Sequence, residues 1–178
     1  MGNTILLTGR PGCGKTTLIR HIVAHLAIPV GGFYTQEIRE PGTGSATGVR
    51  KGFEILTLDG RRGVLAHVNI RSSARVGKYG VNLNDLDNLA VSAIREAIAA
   101  GEVVVIDEIG PMEIASPSLR QAVLEALESQ STVLGSIVQR STPFTDQIKR
   151  MSQTTLIEVR ADNREALINQ VLELLSPM

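Results

Sequence analysis

Short apolar runs and longer amphipathic stretches alternate along most of this chain. Residues 4–8 (Thr-Ile-Leu-Leu-Thr), 103–106 (Val-Val-Val-Ile), 132–138 (Thr-Val-Leu-Gly-Ser-Ile-Val) and 155–159 (Thr-Leu-Ile-Glu-Val) are brief and rich in aliphatic or β-branched side chains. Runs of that length and kind predict strands, the first three buried and the one at 103–106 buried on both faces. Between them the apolar period lengthens to that of a helix. Ile19, Ile22, Val23 and Leu26 share one face, as do Leu86, Leu89, Ala90, Ala93, Ile94 and Ala97. Leu119, Val123, Leu124 and Leu127 form a third such face, and Leu167, Ile168, Val171, Leu172 and Leu175 a fourth. The spacing predicts helices starting near Lys15, over 84–100, after an N-cap at Ser116 or Ser118, and over 163–175. Gly101 closes the second as a C-cap, and 143–151 reads as a short helix or turn.

One region breaks the alternation. Residues 28–32 (Ile-Pro-Val-Gly-Gly) interrupt the pattern, and residues 33–39 then read as a strand. Residues 50–58 and 63–68 are strand-like and flank Asp59-Gly60, a strong hairpin signal. Residues 41–48, rich in Gly, Thr and Ser, predict a flexible loop. Residues 69–79 carry Arg71, Arg75 and Lys78 without periodicity and read as a solvated basic loop, with phosphate contact the alternative. The segment 33–68 is therefore expected to be antiparallel, an insertion or edge extension. The rest predicts an α/β fold: a mostly parallel sheet with helices on both faces and right-handed crossovers.

The first strand and helix enclose Gly9-Arg10-Pro11-Gly12-Cys13-Gly14-Lys15-Thr16, which fits the P-loop pattern. The glycines let successive backbone N–H groups converge on one anion, and the helix N-terminus adds its free N–H groups and positive dipole end. Lys15 is placed to reach β- and γ-phosphates and the Thr16 hydroxyl to ligate Mg²⁺. Cys13 lies where backbone does the binding. In an empty loop Lys15 is expected to face solvent and to stabilise little.

A second candidate element is the end of the strand at 103. Asp107-Glu108-Ile109-Gly110-Pro111-Met112-Glu113 puts an acidic pair at a strand's carboxyl end, where open α/β sheets bind ligands. Asp107 is placed to hold Mg²⁺ through water, and Glu108 to orient or deprotonate an attacking water. Glu113 either braces the Gly110-Pro111 turn or helps position that water. Strand 132–138 is expected between the P-loop strand and the acidic strand, bringing Ser136 or Gln139 near the γ-phosphate. Neighbouring Asp107 and Glu108 are expected to point to opposite faces unless the backbone turns. His21 and His25 share a helical face, but Ile22-Val23-Ala24 between them lacks the glutamate of a zinc-protease pattern, so they read as surface histidines.

Composition narrows the class further. At 178 residues, one domain spanning 1–178 is expected. Aromatic content is only 3%, so aliphatic side chains must fill the core. Lys+Arg and Asp+Glu are equal at 18 each, so no global field draws nucleic acid or an anionic membrane. No run reaches the length of a membrane span and no basic n-region precedes the first strand, so a cytoplasmic protein is expected. The single cysteine excludes an intramolecular disulfide.

Taken together, these residues resemble the small nucleoside-triphosphatases first recognised in thermophiles and also described as cancer-related NTPases. The likeness covers nearly the whole chain. It runs through Gly9 to Thr16, Gly32-Phe33-Tyr34-Thr35, Lys51-Gly52-Phe53, Arg75-Val76-Gly77-Lys78-Tyr79, the acidic run at Asp107, and Asn163-Arg164. The glycine-rich loop at 40–48 is a departure. The resemblance implies a RecA-like P-loop fold and Mg²⁺-dependent release of the γ-phosphate. It also implies low selectivity among ATP, GTP, CTP, TTP and UTP, with slower action on diphosphates. The nucleotide site is expected to comprise Gly9, Arg10, Pro11, Gly12, Cys13, Gly14, Lys15, Thr16, Thr17, Asp107, Glu108, Gly110, Asn163 and Arg164. Of these, Lys15 and Glu108 are the catalytic candidates and Thr16 and Asp107 the metal ligands. Asn163-Arg164 either contacts base or ribose or caps the last helix. Arg71, Arg75, Arg140, Arg150 and Arg164 are candidate transition-state arginines. Two other functions stay open: a P-loop kinase acting on a small acceptor, and a nucleotide switch working with a protein or nucleic-acid partner. Glu108 favours water over an acceptor, and zero net charge makes nucleic acid the weaker partner.

Overall fold

A computed structural model describes residues 2–44 and 46–175. Nine strands form one sheet: β1 (Thr4–Thr8), β2 (Val30–Glu40), β3 (Val49–Thr57), β4 (Arg62–His67), β5 (Arg75–Val76), β6 (Tyr79–Val81), β7 (Val103–Ile109), β8 (Val133–Ile137) and β9 (Thr154–Glu158). Their order is β5-β6-β4-β3-β2-β7-β8-β1-β9. The half from β2 to β9 is parallel throughout, and β8 lies between β1 and β7 as expected. The other half is antiparallel.

The helices are α1 (Lys15–His25), α2 (Leu83–Asp85), α3 (Ser92–Ala100), α4 (Pro117–Glu128), α5 (Pro143–Lys149) and α6 (Arg164–Leu175). Strand alternation divides the apolar side chains between two layers. Ile5, Leu7, Val103 and Val105 pack with Leu18, Ile19 and Ile22 of α1 and Leu167 and Val171 of α6. Leu6, Val104 and Ile106 pack on the other face with Ile94, Ala97, Leu119, Val123 and Leu127 of α3 and α4. Helices thus cover both faces. Ser116 is the N-cap of α4, accepting the Leu119 N–H at 3.0 Å, and Gly101 (φ 68°) ends α3. No helix among the described residues is long and apolar enough to cross a membrane.

Four expectations need correction. Residues 30–32 do not break the pattern but begin β2, pairing parallel with Val103–Val105 before the same strand pairs antiparallel with β3. Gly32 permits this: at φ 107° an added Cβ would lie 2.0 Å from the Val105 carbonyl oxygen. Residues 69–79 are not simply a loop, since β5 and β6 form a small hairpin that extends the sheet. The antiparallel extension is therefore four strands, larger than one hairpin. Finally, helix 84–100 is not uniform: α2 passes through a π-helical turn, Leu86–Val91, into α3. Of the 41–48 loop, residue 45 lies outside the described residues.

Candidate functional site

The loop between β1 and α1 is cradled from below by its own lysine. The Lys15 ammonium donates to the Gly9 carbonyl at 3.0 Å and the Arg10 carbonyl at 3.2 Å. It is 8% exposed, so the expectation of a solvent-facing lysine is wrong. The loop's own carbonyls accept its protons, because a buried ammonium must be hydrogen-bonded. The Arg10 side chain is exposed, and its carbonyl also takes the Cys13 N–H at 3.2 Å. Cys13 packs toward the α1–α6 layer.

Asp107 and Glu108 end β7, where the β7–β8 register shifts between Ile106 and Ile109 and the Asp107–Glu108 peptide bond is cis. Asp107 is fully buried; Ser136 Oγ donates to its Oδ1 at 2.5 Å. Its Oδ2 has no hydrogen-bond partner among the described residues. Burial pushes this carboxyl up from its ordinary range, and hydrogen bonds from Ser136 and Thr16, with the charges of Arg20 and Lys15, pull it back. Ser136 therefore supports the acidic residue from behind. Gln139 has its carbonyl engaged by Lys149 at 3.1 Å.

Glu108 and Glu113 converge over Gly110. A Cβ built there would stand 2.5 Å from Glu108 Oε1 and 3.1 Å from Glu113 Oε2, so glycine leaves room for two carboxyl groups. Burial raises Glu108, Lys15 opposes the rise, and Asp107 adds to it. Glu113 is raised well above its ordinary value, first by burial and then by the Glu108 charge, although its own and the Gly110 N–H groups oppose this. Glu113 thus stands beside Gly110 and lines the same cavity as Glu108, which fits both of its readings.

A cavity of about 640 Å³ joins these parts. Pro11, Gly12, Gly14, Lys15, Thr16 and Thr17 line one side, and Glu108 and Glu113 stand with them. Arg20 of α1, Thr35, Gln36 and Glu37 of β2 and Arg50 and Phe53 of β3 complete the lining, with Met112 beside the acidic turn. Arg20 stacks its guanidinium 5.0 Å from the Tyr34 ring centre and bonds Gln36 Oε1 at 3.3 Å. Sequence reasoning singled out none of these wall residues as site residues. The available signal was the strand-like run 33–39 itself, whose polar Thr35 and Gln36 stand on a strand adjoining the acidic one.

A second cavity, about 420 Å³, lies across Gly14 between α1 and α6. Thr17, His21, Asp162, Arg164 and Ile168 line it. Arg164 packs against Gly14, its Nη1 2.8 Å from where a Cβ would sit. Asn163 does not join it there. Its Oδ1 accepts the Arg160 N–H at 2.8 Å and its Nδ2 donates to the Glu158 carbonyl at 2.9 Å, which makes it the organiser of the β9–α6 turn. His21 and His25 stack on each other at 4.5 Å.

A five-strand parallel core, a lysine-bearing glycine loop and an acidic strand end facing one cavity define the nucleoside-triphosphatase class of α/β proteins. Comparison with known proteins agrees. The chain belongs to an NTPase family, whose model matches residues 4–172. It is 42% identical over 171 residues to a nucleoside-triphosphatase THEP1 of Thermotoga sp. (strain RQ2), covering 96% of this chain and 94% of that one. It is 35% identical over 188 residues to the human cancer-related nucleoside-triphosphatase, covering 97% and 96%. The crystal structure of THEP1 from the hyperthermophile Aquifex aeolicus superposes with a TM-score of 0.84 at 33% identity, covering 98% of this chain and 99% of that one.

Proposed function

We propose that the chain hydrolyses nucleoside 5′-triphosphates to diphosphate and phosphate, with Mg²⁺ and with low selectivity for the base. The observation that carries this reading is that Glu108 shares one cavity with Lys15 and Thr16 of the glycine loop. The loop N–H groups and the α1 N-terminus bind the β- and γ-phosphates, and Lys15 exchanges its carbonyl partners for phosphate oxygens. Glu108 accepts the proton of a water in line with the γ-phosphorus, and its buried, raised carboxylate is more basic than an exposed one. Glu113 stands behind it.

Thr16 and Asp107 would hold Mg²⁺. The fit rests on the orphaned, buried Asp107 Oδ2, with Thr16 close enough to help hold that carboxyl's pKa down. No group of three or more His, Cys, Asp or Glu residues suited to a metal occurs among the described residues, so the remaining ligands would be phosphate oxygens and water. An ion held by Thr16 and Asp107 would supply charge neutralisation to the phosphates.

In this reading the nucleoside enters the second cavity, which Arg164, His21 and Ile168 line. Asp162 lines that cavity too, but it is 77% exposed and engaged by Arg160 at 3.2 Å, so it is poorly set to read guanine. Diphosphates, with no γ-group beside Glu108, are slower substrates in this reading.

A second reading, transfer to a small acceptor, draws on the half-apolar wall of the larger cavity, with Phe53, Leu65 and Met112. Phosphate release from purified protein with NTP and Mg²⁺ alone separates the two. Hydrolysis predicts steady multiple-turnover phosphate release that EDTA abolishes. Release only after a small acceptor is added, with label found in that acceptor, would overturn it.

A further inference from the structure

The antiparallel half of the sheet carries a cation to the phosphate cavity. Arg50, near the start of β3, lines the same cavity as Lys15, Thr16 and Glu108. Its guanidinium is held from three strands. Nε donates to the Tyr79 hydroxyl of β6 at 3.0 Å, and Nη1 to Glu37 Oε1 of β2 at 2.9 Å. The rings of Phe53 and Tyr79 stand 5.3 and 5.9 Å from its Cζ. An arginine at a sheet surface ordinarily keeps its rotamer freedom, and ordering it costs entropy. Here two hydrogen bonds and two aromatic faces restrict it, although its side chain stays 44% exposed. An arginine has five N–H groups, and these bonds use two of them. The other three have no protein partner among the described residues.

The remaining arginines fit the role less well. Arg75 spends its guanidinium on the Ile70 and Lys78 carbonyls. Arg164 lines the other cavity, while Arg71, Arg140 and Arg150 line neither. Arg20 lines the phosphate cavity, but it is tied to Gln36 and its charge acts on Asp107, at the metal end.

We propose that Arg50 is the transition-state arginine of this enzyme, supplied by its own chain. This rests on the hydrolysis reading. As the bond from the γ-phosphorus to the β–γ bridging oxygen breaks and the water oxygen bonds to phosphorus, Glu108 takes the water proton. The free N–H groups of Arg50 meet the charge on the γ-oxygens. A planar fork suits phosphate oxygens in pairs, which an ammonium cannot match. Tyr79 is a positioning residue, holding Nε so that the rest of the fork faces the cavity.

The test compares wild type, Arg50→Ala and Arg50→Lys for kcat, KM, melting temperature and binding of ADP with aluminium fluoride, a mimic of the transferring group. Both variants should lose about 10²–10³-fold in kcat, the cost of one lost transition-state donor, with KM within a few-fold. Both should bind Mg·ATP yet lose the tight complex with ADP and aluminium fluoride. Added guanidinium ion should restore part of the rate of Arg50→Ala and none of Arg50→Lys, whose ammonium fills the space. A kcat within about threefold of wild type would overturn the proposal. So would a rate loss matched by a fall in melting temperature and untouched by guanidinium, which marks a structural role. A wild type that releases no phosphate would instead remove the hydrolysis reading beneath it.

Discussion

Lys15 is bonded to its own loop. Its ammonium bridges the Gly9 and Arg10 carbonyls, so its removal leaves two acceptors short of a donor in a largely buried place. Lys15→Ala should therefore abolish nucleotide turnover and also destabilise the empty protein by about 1–2 kcal/mol, lowering Tm by roughly 2–8 °C. A melting curve unchanged by the substitution would show that the bridge contributes nothing. Glu113 gives a residue-scale prediction of opposite sign. Its folded carboxyl is raised well above its ordinary value of 4.5, so the native state binds a proton more tightly than the unfolded chain does. Stability from this group is complete below that ordinary value and falls as pH rises from there toward the folded value. Glu113→Gln, similar in size and still able to accept the Gly110 N–H, removes that fall. Thermal melts of both proteins across this range should converge at the acid end, and the variant should be the more stable near neutral pH. Parallel curves would mean that Glu113 does not titrate differently in the two states.

Among the elements, β2 does most to shape the site. Its first residues belong to the parallel core and its later ones to the antiparallel extension, so one strand connects the acidic β7 to the wall that carries Arg50. Gly32 sits at that junction with a positive φ and with no room for a Cβ against Val105. Gly32→Ala should cost about 2–4 kcal/mol, from backbone strain plus the displaced β7 carbonyl, read as a lower urea midpoint at unchanged slope. A loss below about 0.5 kcal/mol, the usual size at an ordinary surface site, would mean that the strands part without penalty. The same junction marks where the sequence could be read and where it could not. The strands at 4–8, 103–106 and 133–137 are buried, and burial leaves an apolar signature that predicted each element. The place of β8 between β1 and β7 followed from the wide sequence gap between the P-loop and the acidic strand. Residues 30–32 have the same sheet role, but two glycines and a preceding proline carry no periodicity, so their pairing is set by β7 and invisible locally. Tyr79–Val81 pairs with β4 through tertiary contact, and a three-residue strand is too short to show a period. The catalytic candidates were legible because phosphate chemistry demands a fixed local spacing, as in Gly9 to Thr16. Arg20, Gln36 and Arg50 come from separate elements that meet only in the folded sheet, so no spacing announces them. Asn163 was ambiguous for a related reason, since a side chain that organises a turn and one that meets a ribose look alike until its partners are seen.

At the scale of the molecule, Gly14 lines both cavities, and the proposed function gives the larger to phosphates and water and the smaller to a nucleoside. Binding energy for the triphosphate is then nearly independent of the base. ATP, GTP, CTP and UTP should turn over at comparable kcat/KM. A preference above about 100-fold, roughly 2.7 kcal/mol, would reveal a base-reading contact that Arg164, His21 and Ile168 do not provide. The division also separates holding the nucleotide from breaking it. In the proposed function Lys15, Thr16 and Asp107 hold, while Glu108, which lines the same cavity as Lys15 and Thr16, activates water. Glu108→Gln keeps size and hydrogen bonding and removes most of the basicity, so single-turnover hydrolysis and Mg·ATP affinity measured on one sample test the central claim most directly. Hydrolysis should fall by about 10²–10⁴-fold with affinity within a few-fold, leaving intact ATP bound and the protein protected against heat by it. Turnover at the wild-type rate, or an affinity lost along with the rate, would contradict a water-activating Glu108.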